Sequence, residues 1–230
     1  MEMIDIGLDK CETTQERLIK ATQALIAVYG YDAMTTRMIA NLANVTLSAI
    51  NFHFGSKADL VKAAMEQAAA QLEKSYEKLA VEIREFLKVQ PVDKEKAWAY
   101  LDRFLADRIR RAFNYEASWI NIGIAEHENG LPEGARGIMS QVAVRTSEQV
   151  LVELILAVSD KKDPFKAAVI SRAINAAIMT YTEKPLLNQY LGESMGLDLG
   201  DHERVGEYIH EYAMRSIAAA VVIAPRTKLI

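Results

Sequence analysis

Side chains that could hydrogen-bond to the edges of nucleobases lie close together in the first quarter of the sequence. Thr46, Ser48 and Asn51 each offer a donor and an acceptor, and His53 and Lys57 follow them directly. Hydroxyl and amide groups on an exposed helix suit the reading of bases in the DNA major groove, and cations beside them suit phosphates. The alternative is an ordinary solvated helix, in which His53 serves only the structure.

Three short helices must position these side chains. In the first, apolar residues recur at the spacing of one buried helical face, namely Leu18, Ala21, Leu25 and Val28. Gly30 is expected to end this helix, because glycine readily takes the left-handed conformation found after a helix C-terminus. The hydroxyl of Thr35 or Thr36 is then expected to cap the second helix.

A turn and a third helix carry the candidate surface itself. Asn44 is expected in the turn, since asparagine tolerates positive φ better than other residues with a side chain. Thr46 is expected to cap a very short third helix that runs from Leu47 to Phe52. This order of elements is that of a helix-turn-helix unit, whose second helix enters the major groove.

The expected roles follow from the side-chain chemistry. Hydroxyl and amide groups would meet base edges, small apolar groups would touch thymine methyls, and flanking residues would hold phosphates. Ile50 and Phe54 point the other way, into a small core. The predicted residues are Thr46, Leu47, Ser48, Ala49 and Asn51 for the bases, and Thr35, Thr36, Arg37, Phe52, His53 and Lys57 around them.

The same segment resembles the N-terminal domain of TetR-family transcriptional regulators. The similarity is carried by Gly30-Tyr31, Thr35-Thr36, Ile39-Ala40, Ala43-Asn44-Val45-Thr46 and Ile50-Asn51-Phe52-His53-Phe54-Gly55-Ser56-Lys57 with Leu60. The last run is especially similar to a subgroup that carries Asn-Tyr-His-Phe-Gly-Ser-Lys. Two features depart from the family pattern. Asn44 replaces the turn glycine, and Asn51 and Phe52 occupy the aromatic pair that often contacts phosphate through tyrosine hydroxyls, so that Phe52 loses this contact and Asn51 is expected to read a base instead.

Helical periodicity continues beyond this segment. Ser56 and Asp59 have the spacing of a capping box, which predicts a long fourth helix that ends before Pro91. Further helices are predicted at about 93–127, 134–159, 163–182 and 201–223. The sequence therefore predicts an all-α protein in two parts. These are a helix-turn-helix DNA-binding domain at 1–55, with a mobile tail at 1–12, and a larger helical effector-binding and dimerisation body at 56–230.

The resemblance implies a homodimer whose last two helices form a four-helix bundle across a two-fold axis. Small or apolar residues cover most of both helices, which supports this because such a helix must be buried on more than one side. An ordinary interior helix is the alternative. Two-fold symmetry predicts a palindromic operator. The predicted interface residues are Ile170, Ile174, Ala177, Tyr208, Tyr212 and Ile217.

The resemblance also implies that the middle helices enclose a pocket for a small effector, whose binding shifts the fourth helix. Repression is the commoner mode in the family, so release from DNA is the expected effect. The helix at 93–127 is rich in aromatic residues, which suits an apolar effector, although its arginines could meet an acidic one. The alternative is that these residues only fill the core. The candidates are Trp98, Phe104, Arg108, Trp119 and Met179.

Other classes of function find less support. The four histidines lack the spacing of metal ligands, and there is no glycine-rich phosphate loop or nucleophile elbow, so neither an enzyme nor a cofactor is expected. The sequence has one cysteine, no signal-peptide pattern and no long apolar run. We therefore expect a cytoplasmic protein with no membrane partner, and the resemblance implies a bacterial one. The net charge of −4 gives DNA binding no general support. A helical ligand-binding or interaction protein with a vestigial DNA-binding domain is the alternative.

Overall fold

The computed structural model describes residues 6–114, 120, 123–124, 127–183 and 185–221. These residues are helical almost throughout and include no strand, which confirms the predicted fold class. The helices are α1 (Thr14–Ala33), α2 (Thr36–Ala43), α3 (Ser48–Phe54), α4 (Lys57–Lys88), α5 (Lys94–Phe113), α6 (Ile138–Ala143), α7 (Gln149–Val158), α8 (Pro164–Glu183), α9 (Pro185–Met195) and α10 (His202–Val221). Within the described ranges, none of them combines the length and the apolar character that spanning a bilayer requires.

The first helix begins at a capping box. The Thr13 hydroxyl accepts a hydrogen bond from the Glu16 N–H at 3.1 Å, and the Glu16 carboxylate accepts one from the Thr13 N–H at 3.1 Å. Three of the four predicted face residues are buried, but Val28 is exposed, so that part of the prediction is wrong. Gly30 has the expected positive φ, 71°, yet one more helical turn follows it before α1 ends.

The turn between α2 and α3 largely follows the sequence-based expectation. The Thr35 hydroxyl caps α2 by accepting from the Met38 N–H at 3.2 Å, and Asn44 takes the left-handed conformation with φ 53° and ψ 53°. The predicted cap at Thr46 is wrong. Its hydroxyl lies 3.1 Å from the Ser48 hydroxyl, and Leu47 occupies the cap position without a side-chain hydrogen bond.

The fourth helix begins as predicted and ends at Lys88, before Pro91, and α8 and α10 begin within one residue of the predicted helices at 163–182 and 201–223. Two other predicted helices differ from the structure. The Asp59 N–H donates to the Ser56 hydroxyl at 3.1 Å, and that hydroxyl donates to the Asp59 carboxylate at 2.6 Å. The predicted helix at 93–127 already ends at Phe113 in α5. The predicted helix at 134–159 is interrupted by a π-helical turn, Val144–Glu148, between α6 and α7. The helix α9 was not predicted at all.

The chain divides into two compact units that differ from the predicted parts. The first unit consists of Met1–Ser75 with Trp119–Ala143, and the second of Tyr76–Ser118 with Val144–Ile230. By sequence, α4 therefore contributes its first half to one unit and its second half to the other. The division into 1–55 and 56–230 stays a prediction about function, because packing does not reveal where DNA binding ends.

The core of the first unit joins α1, α2, α3 and the start of α4 to the later segment of that unit. Its fully buried large side chains include Leu18, Ile26, Met34, Ile39, Ile50, Leu60, Met65 and Ile124. Gly123 packs against α1 so closely that a Cβ atom there would lie 2.6 Å from the carbonyl oxygen of Ala27. The base of α3 thus rests on a core that includes residues far along the chain.

The core of the second unit is formed by the second half of α4 with α5, α7, α8 and α10. Phe104 and Leu105 on α5 are fully buried and pack with apolar residues of the other helices, such as Ile83, Leu151, Leu154, Ile178 and Ile209. The unit is held by burial of aliphatic side chains along each helix, the dominant favourable contribution to folding.

Candidate nucleic-acid interface

The burial of one residue orients the whole of α3. Ile50 is only 1 % exposed and anchors the helix in the core of the first unit, while Phe54 packs partly against the same core. Residues on the opposite side of so short a helix must then face solvent. The exposed residues are Thr46, Leu47, Ser48, Asn51 and Phe52, and Ala49 and His53 are half-buried. The structure therefore brings all seven predicted residues of this segment to one surface.

A shallow groove runs along this surface between α3 and the start of α1. Its lining consists of Thr14, Val45, Thr46, Ser48, Ala49, Phe52 and His53. Thr14 was not predicted, because nothing local in the sequence shows that the first turn of α1 approaches α3. The capping box at Thr13 and Glu16 could have indicated this contact, because it fixes the residue at which α1 begins and therefore where the backbone N–H groups of its first turn lie.

Phe52 is the most exposed large apolar residue on this face. Its side chain is 84 % exposed, and its ring meets the His53 imidazole edge to face with centroids 4.9 Å apart. A single exposed apolar residue is common on protein surfaces, so Phe52 is a candidate contact because of its place among the polar residues of α3. Without a hydroxyl, Phe52 can contribute only apolar contact, to sugars or thymine methyls.

Lys57 is expected to contact a phosphate, but its ammonium group is bound within the protein. Its Nζ atom donates to the carbonyl oxygen of Tyr31 at 2.7 Å and lies 4.0 Å from the centroid of the Tyr31 ring. Burial lowers the pKa of this ammonium, and the charge of Asp32 works against that shift. Lys57 therefore ties the start of α4 to the end of α1, which leaves fewer of its protons for a phosphate.

The predicted flanking residues on α2 lie close to solvent. Arg37 is exposed, Thr36 is half-buried, and the Thr35 hydroxyl is occupied as an acceptor but keeps its own proton to donate. Another cation of this domain, Lys20, donates to the Gly7 carbonyl at 3.0 Å. Arg37 is therefore better placed than Lys20 or Lys57 to meet a phosphate.

The predicted effector residues have diverse surroundings in the second unit. Phe104 is fully buried in the core, Trp98 and Met179 are half-buried, and Trp119 lies outside the described residues. Arg108 is also buried, contrary to what a run of arginines suggests. It donates from Nη2 to the Glu148 carboxylate at 2.6 Å and to the Asn175 side-chain oxygen at 2.5 Å.

A buried polar cluster surrounds Arg108. The π-helical turn presents Glu148, which also accepts from the Ser171 hydroxyl at 2.8 Å. Burial raises the pKa of the nearby Tyr76 phenol, whose ring has the Arg111 guanidinium 5.0 Å from its centroid. Among the described residues, the Nη1 atom of Arg108 is buried with no hydrogen-bond partner. Such a donor is available to an acceptor atom of a bound molecule.

The predicted interface residues divide into two groups. Ile174 and Ile217 are 1 % and 0 % exposed within the single chain, so they stabilise its own core and are wrong as contacts to a second copy. Sequence periodicity could not distinguish core residues from interface residues, because both faces of α8 and α10 carry apolar residues. Tyr208 and Tyr212 are exposed, and Ile170 and Ala177 are half-buried.

Exposed small and apolar residues recur along each of these two helices. On α8 they follow the helical repeat as Phe165, Val169, Ala173 and Ala176, and on α10 as Tyr208, Tyr212 and Ala219.

Among the described residues, no group of three or more histidine, cysteine, aspartate or glutamate side chains is arranged to hold a metal ion.

Comparison with known proteins connects this geometry to a family. Residues 18–64 match the sequence model of the family described as bacterial regulatory proteins, tetR family. That range contains α2, α3 and most of α1, so the predicted helix-turn-helix domain is confirmed at the level of the family. The narrower similarity to a subgroup stays a prediction. No curated protein matches the sequence.

Solved structures share the fold of the chain. A TetR transcription regulator from Haloarcula marismortui ATCC 43049 is 16 % identical, covers 90 % of this chain and 96 % of its own, and has a TM-score of 0.55. The TetR family regulator PfmR from Thermus thermophilus is 17 % identical over 86 % of this chain and 97 % of its own, with a TM-score of 0.56. The regulator FadR from Bacillus subtilis, in complex with stearoyl-CoA, is 13 % identical over 90 % and 98 %, with a TM-score of 0.52. At these identities the likeness shows the fold alone.

Proposed function

We propose that this chain, which combines a tetR-family helix-turn-helix match with the fold of TetR regulators, is a ligand-responsive transcriptional repressor. It binds a palindromic operator as a homodimer and is released by a small, largely apolar effector. The observation that carries the proposal is the outward polar face of α3, fixed by the burial of Ile50 and by the left-handed turn at Asn44. An exposed helix of this kind behind a tight turn is the reading element of a helix-turn-helix unit.

In the proposed complex, α3 lies in the major groove. Asn51 and Ser48 hydrogen-bond to base edges, with Thr46 beside them, and Leu47 and Phe52 supply apolar contact. Arg37 and His53 contact phosphates on either side, together with the N–H groups of the first turn of α1. Lys57 contributes to DNA binding chiefly because it fixes the start of α4. Its remaining protons supply a single further contact to a phosphate.

The proposed dimer uses the exposed faces of α8 and α10. Alanines at 173, 176 and 219 allow the helices of two copies to approach closely, and Phe165, Tyr208 and Tyr212 supply the apolar area. In a two-fold interface the same surface serves both copies, which a pair of neighbouring helices satisfies. The two α3 helices of such a dimer would read half-sites related by the same symmetry.

The proposed effector site lies in the second unit. A protein of the same fold has been solved in complex with stearoyl-CoA, and the core of the second unit contains Phe104 and aliphatic residues. Both observations support an apolar effector for this chain. Arg108 would meet a polar atom of the effector through its free Nη1 donor. An effector changes DNA affinity only if it binds the two states of α4 with different affinity. We expect this regulation in the bacterial cytoplasm.

A mobility-shift assay tests the proposal. A palindromic fragment from beside the gene should be retarded at low salt, and the apparent affinity should fall steeply as salt rises, because phosphate contacts release counterions. A helical ligand-binding or interaction protein with a vestigial DNA-binding domain is the alternative, favoured by the engagement of Lys57 with Tyr31 and by the missing hydroxyl at Phe52. Absence of any shift at low salt would favour that alternative.

A further inference from the structure

The helix α9 presents an apolar face to solvent. Five of its large side chains are between 51 % and 65 % exposed, namely Leu186, Leu187, Tyr190, Leu191 and Met195. Their spacing places them on one side of the helix. These five residues are called the α9 stripe below. A run of large apolar residues on one exposed helical face is unlike the scattered single residues that protein surfaces normally carry.

The other side of α9 is occupied within the chain. The side chain of Asn188 donates to the Tyr181 carbonyl at 3.0 Å, and Gly192 is buried against the loop that follows α9. A Cβ atom at Gly192 would lie 2.6 Å from the carbonyl oxygen of Leu197. The helix is thus held in place through Asn188 and Gly192, and the α9 stripe remains exposed to solvent in the folded second unit.

The area of the α9 stripe is comparable to that of the apolar patches that often serve as contact sites. Each of its side chains exposes roughly 100 Å², so the stripe presents on the order of 500 Å². Contiguous apolar patches on monomers rarely exceed about 300–600 Å², and patches near that limit are often functional. A stable interface buries about 800 Å² on each partner. The α9 stripe would supply more than half of that area.

The charges around the α9 stripe restrict what can cover it. The sequence from Pro185 to His202 contains no lysine or arginine, and it carries Glu193, Asp198 and Asp201. DNA and anionic membrane surfaces attract basic segments, and interfacial helices are rich in lysine and arginine on their polar face. An uncharged, apolar protein surface is therefore the fitting partner.

We infer that the α9 stripe docks on a second copy of this chain and widens the interface made by α8 and α10. This inference rests on the proposed homodimer. The continuity of the chain supports it, because α8 leads directly into α9 and α10 begins shortly after it. Both flanking helices carry exposed large apolar residues, including Phe165, Val169, Tyr208 and Tyr212. In a two-fold dimer the α9 stripe would be present twice, because each copy contributes its own.

Sedimentation velocity over a range of concentrations tests the inference. The variant Leu187→Glu/Tyr190→Glu should raise the dissociation constant of the dimer at least about a hundredfold, because charge replaces buried apolar area in both copies. A matched control is Val81→Glu/Val89→Glu, which changes two exposed valines of the second unit that do not belong to α8, α9 or α10. The control should leave the dissociation constant unchanged.

A third variant separates failure of this inference from failure of the proposed dimer. Tyr212→Glu alters the α10 face alone and should also weaken the dimer. If Tyr212→Glu dissociates the dimer while the double variant in α9 behaves as wild type, the role of α9 is overturned and the dimer stands. If the wild-type chain is monomeric at every concentration, the proposed dimer fails and the inference fails with it.

Hydrogen exchange of the unmodified chain provides a test that does not depend on variants that fold. The backbone amides of residues 186–195 should exchange more slowly above the dissociation constant of the dimer than below it. Amides of the buried core helix α7 provide the internal reference. Exchange of α9 that is independent of concentration, measured across a range in which sedimentation shows dimerisation, would overturn the inference.

Discussion

The amide of Asn51 lies exposed on α3, where it can donate and accept at the same time. That pair of groups matches the donor and acceptor that adenine presents in the major groove, whereas a hydroxyl such as Ser48 fits several bases. Lys57 lies in the same region but is committed to Tyr31. At the scale of single residues, base preference should therefore depend on Asn51, and general affinity on Arg37.

Replacing Asn51 with alanine should cost on the order of 1–3 kcal/mol of binding free energy and relax the preference at one base pair. Fluorescence anisotropy on an operator duplex and its single-base variants would measure both quantities. Arg37→Ala is the matched control, because loss of a phosphate contact should weaken binding to all duplexes alike and lower the salt slope by about one. An unchanged affinity and preference for Asn51→Ala would show that α3 does not read bases as proposed.

A second residue-scale effect concerns pH and the start of α1. The backbone N–H groups of Thr13 and Glu12 donate to the Glu16 carboxylate and lower the pKa of that group below its usual 4.5. A lowered pKa in the folded state means that the carboxylate stabilises the fold fully above about pH 4.5. This contribution is lost as the pH falls through the lower, folded-state value.

Hydrogen exchange of the amides in the first turn of α1 should therefore accelerate below about pH 4.5, relative to the intrinsic rate, as Glu16 becomes protonated. Glu16→Gln keeps an acceptor oxygen but cannot titrate, so this pH dependence should disappear from the variant. A first turn of wild-type α1 that shows the same relative protection at all pH values would contradict the role given to the capping box.

Among the elements of the first unit, Gly123 lies very close to α1. The nearest atoms to a Cβ at this position all belong to Ala27, and two of the three are backbone atoms that cannot rotate away. Gly130, by contrast, has open space around it within 4 Å. The two glycines therefore form a natural pair for testing how closely the segment at 119–143 must approach α1.

Gly123→Ala should lower the free energy of unfolding by about 1–3 kcal/mol, because an added methyl group forces the backbone apart in a packed site. Gly130→Ala should change it by no more than about 0.5 kcal/mol, as expected for an exposed surface position. Urea denaturation followed by circular dichroism would compare the two variants. Equal stabilities would mean that residues around Gly123 do not pack on α1 as described.

Local chemistry explains which elements could be predicted from the sequence. The caps at Thr35 and Ser56 and the turn at Asn44 depend on neighbours within four residues, and all three are confirmed. The tie between Lys57 and Tyr31 and the burial of Ile217 depend on tertiary packing, which periodicity does not contain. The π-helical turn and α9 escaped prediction for the same reason.

At the scale of the whole molecule, the two compact units carry different parts of the proposed activity. The first unit contains α3 and the groove beside Thr14, and the second contains the buried cluster around Arg108 and Glu148. A buried ion pair of this kind is costly unless further hydrogen bonds satisfy it. Glu148 here also accepts from Ser171, while the Nη1 atom of Arg108 has no hydrogen-bond partner among the described residues, which supports the proposed role in effector binding.

The central claim is that two copies of the chain place α3 into successive turns of a DNA major groove. Selection of bound duplexes from a random pool by the purified protein at low salt tests this directly, because no operator has to be known beforehand. The enriched sequences should be inverted repeats whose half-sites are spaced by about one helical turn or a little more. A pool without enrichment, or enrichment of a single asymmetric site, would contradict the claim.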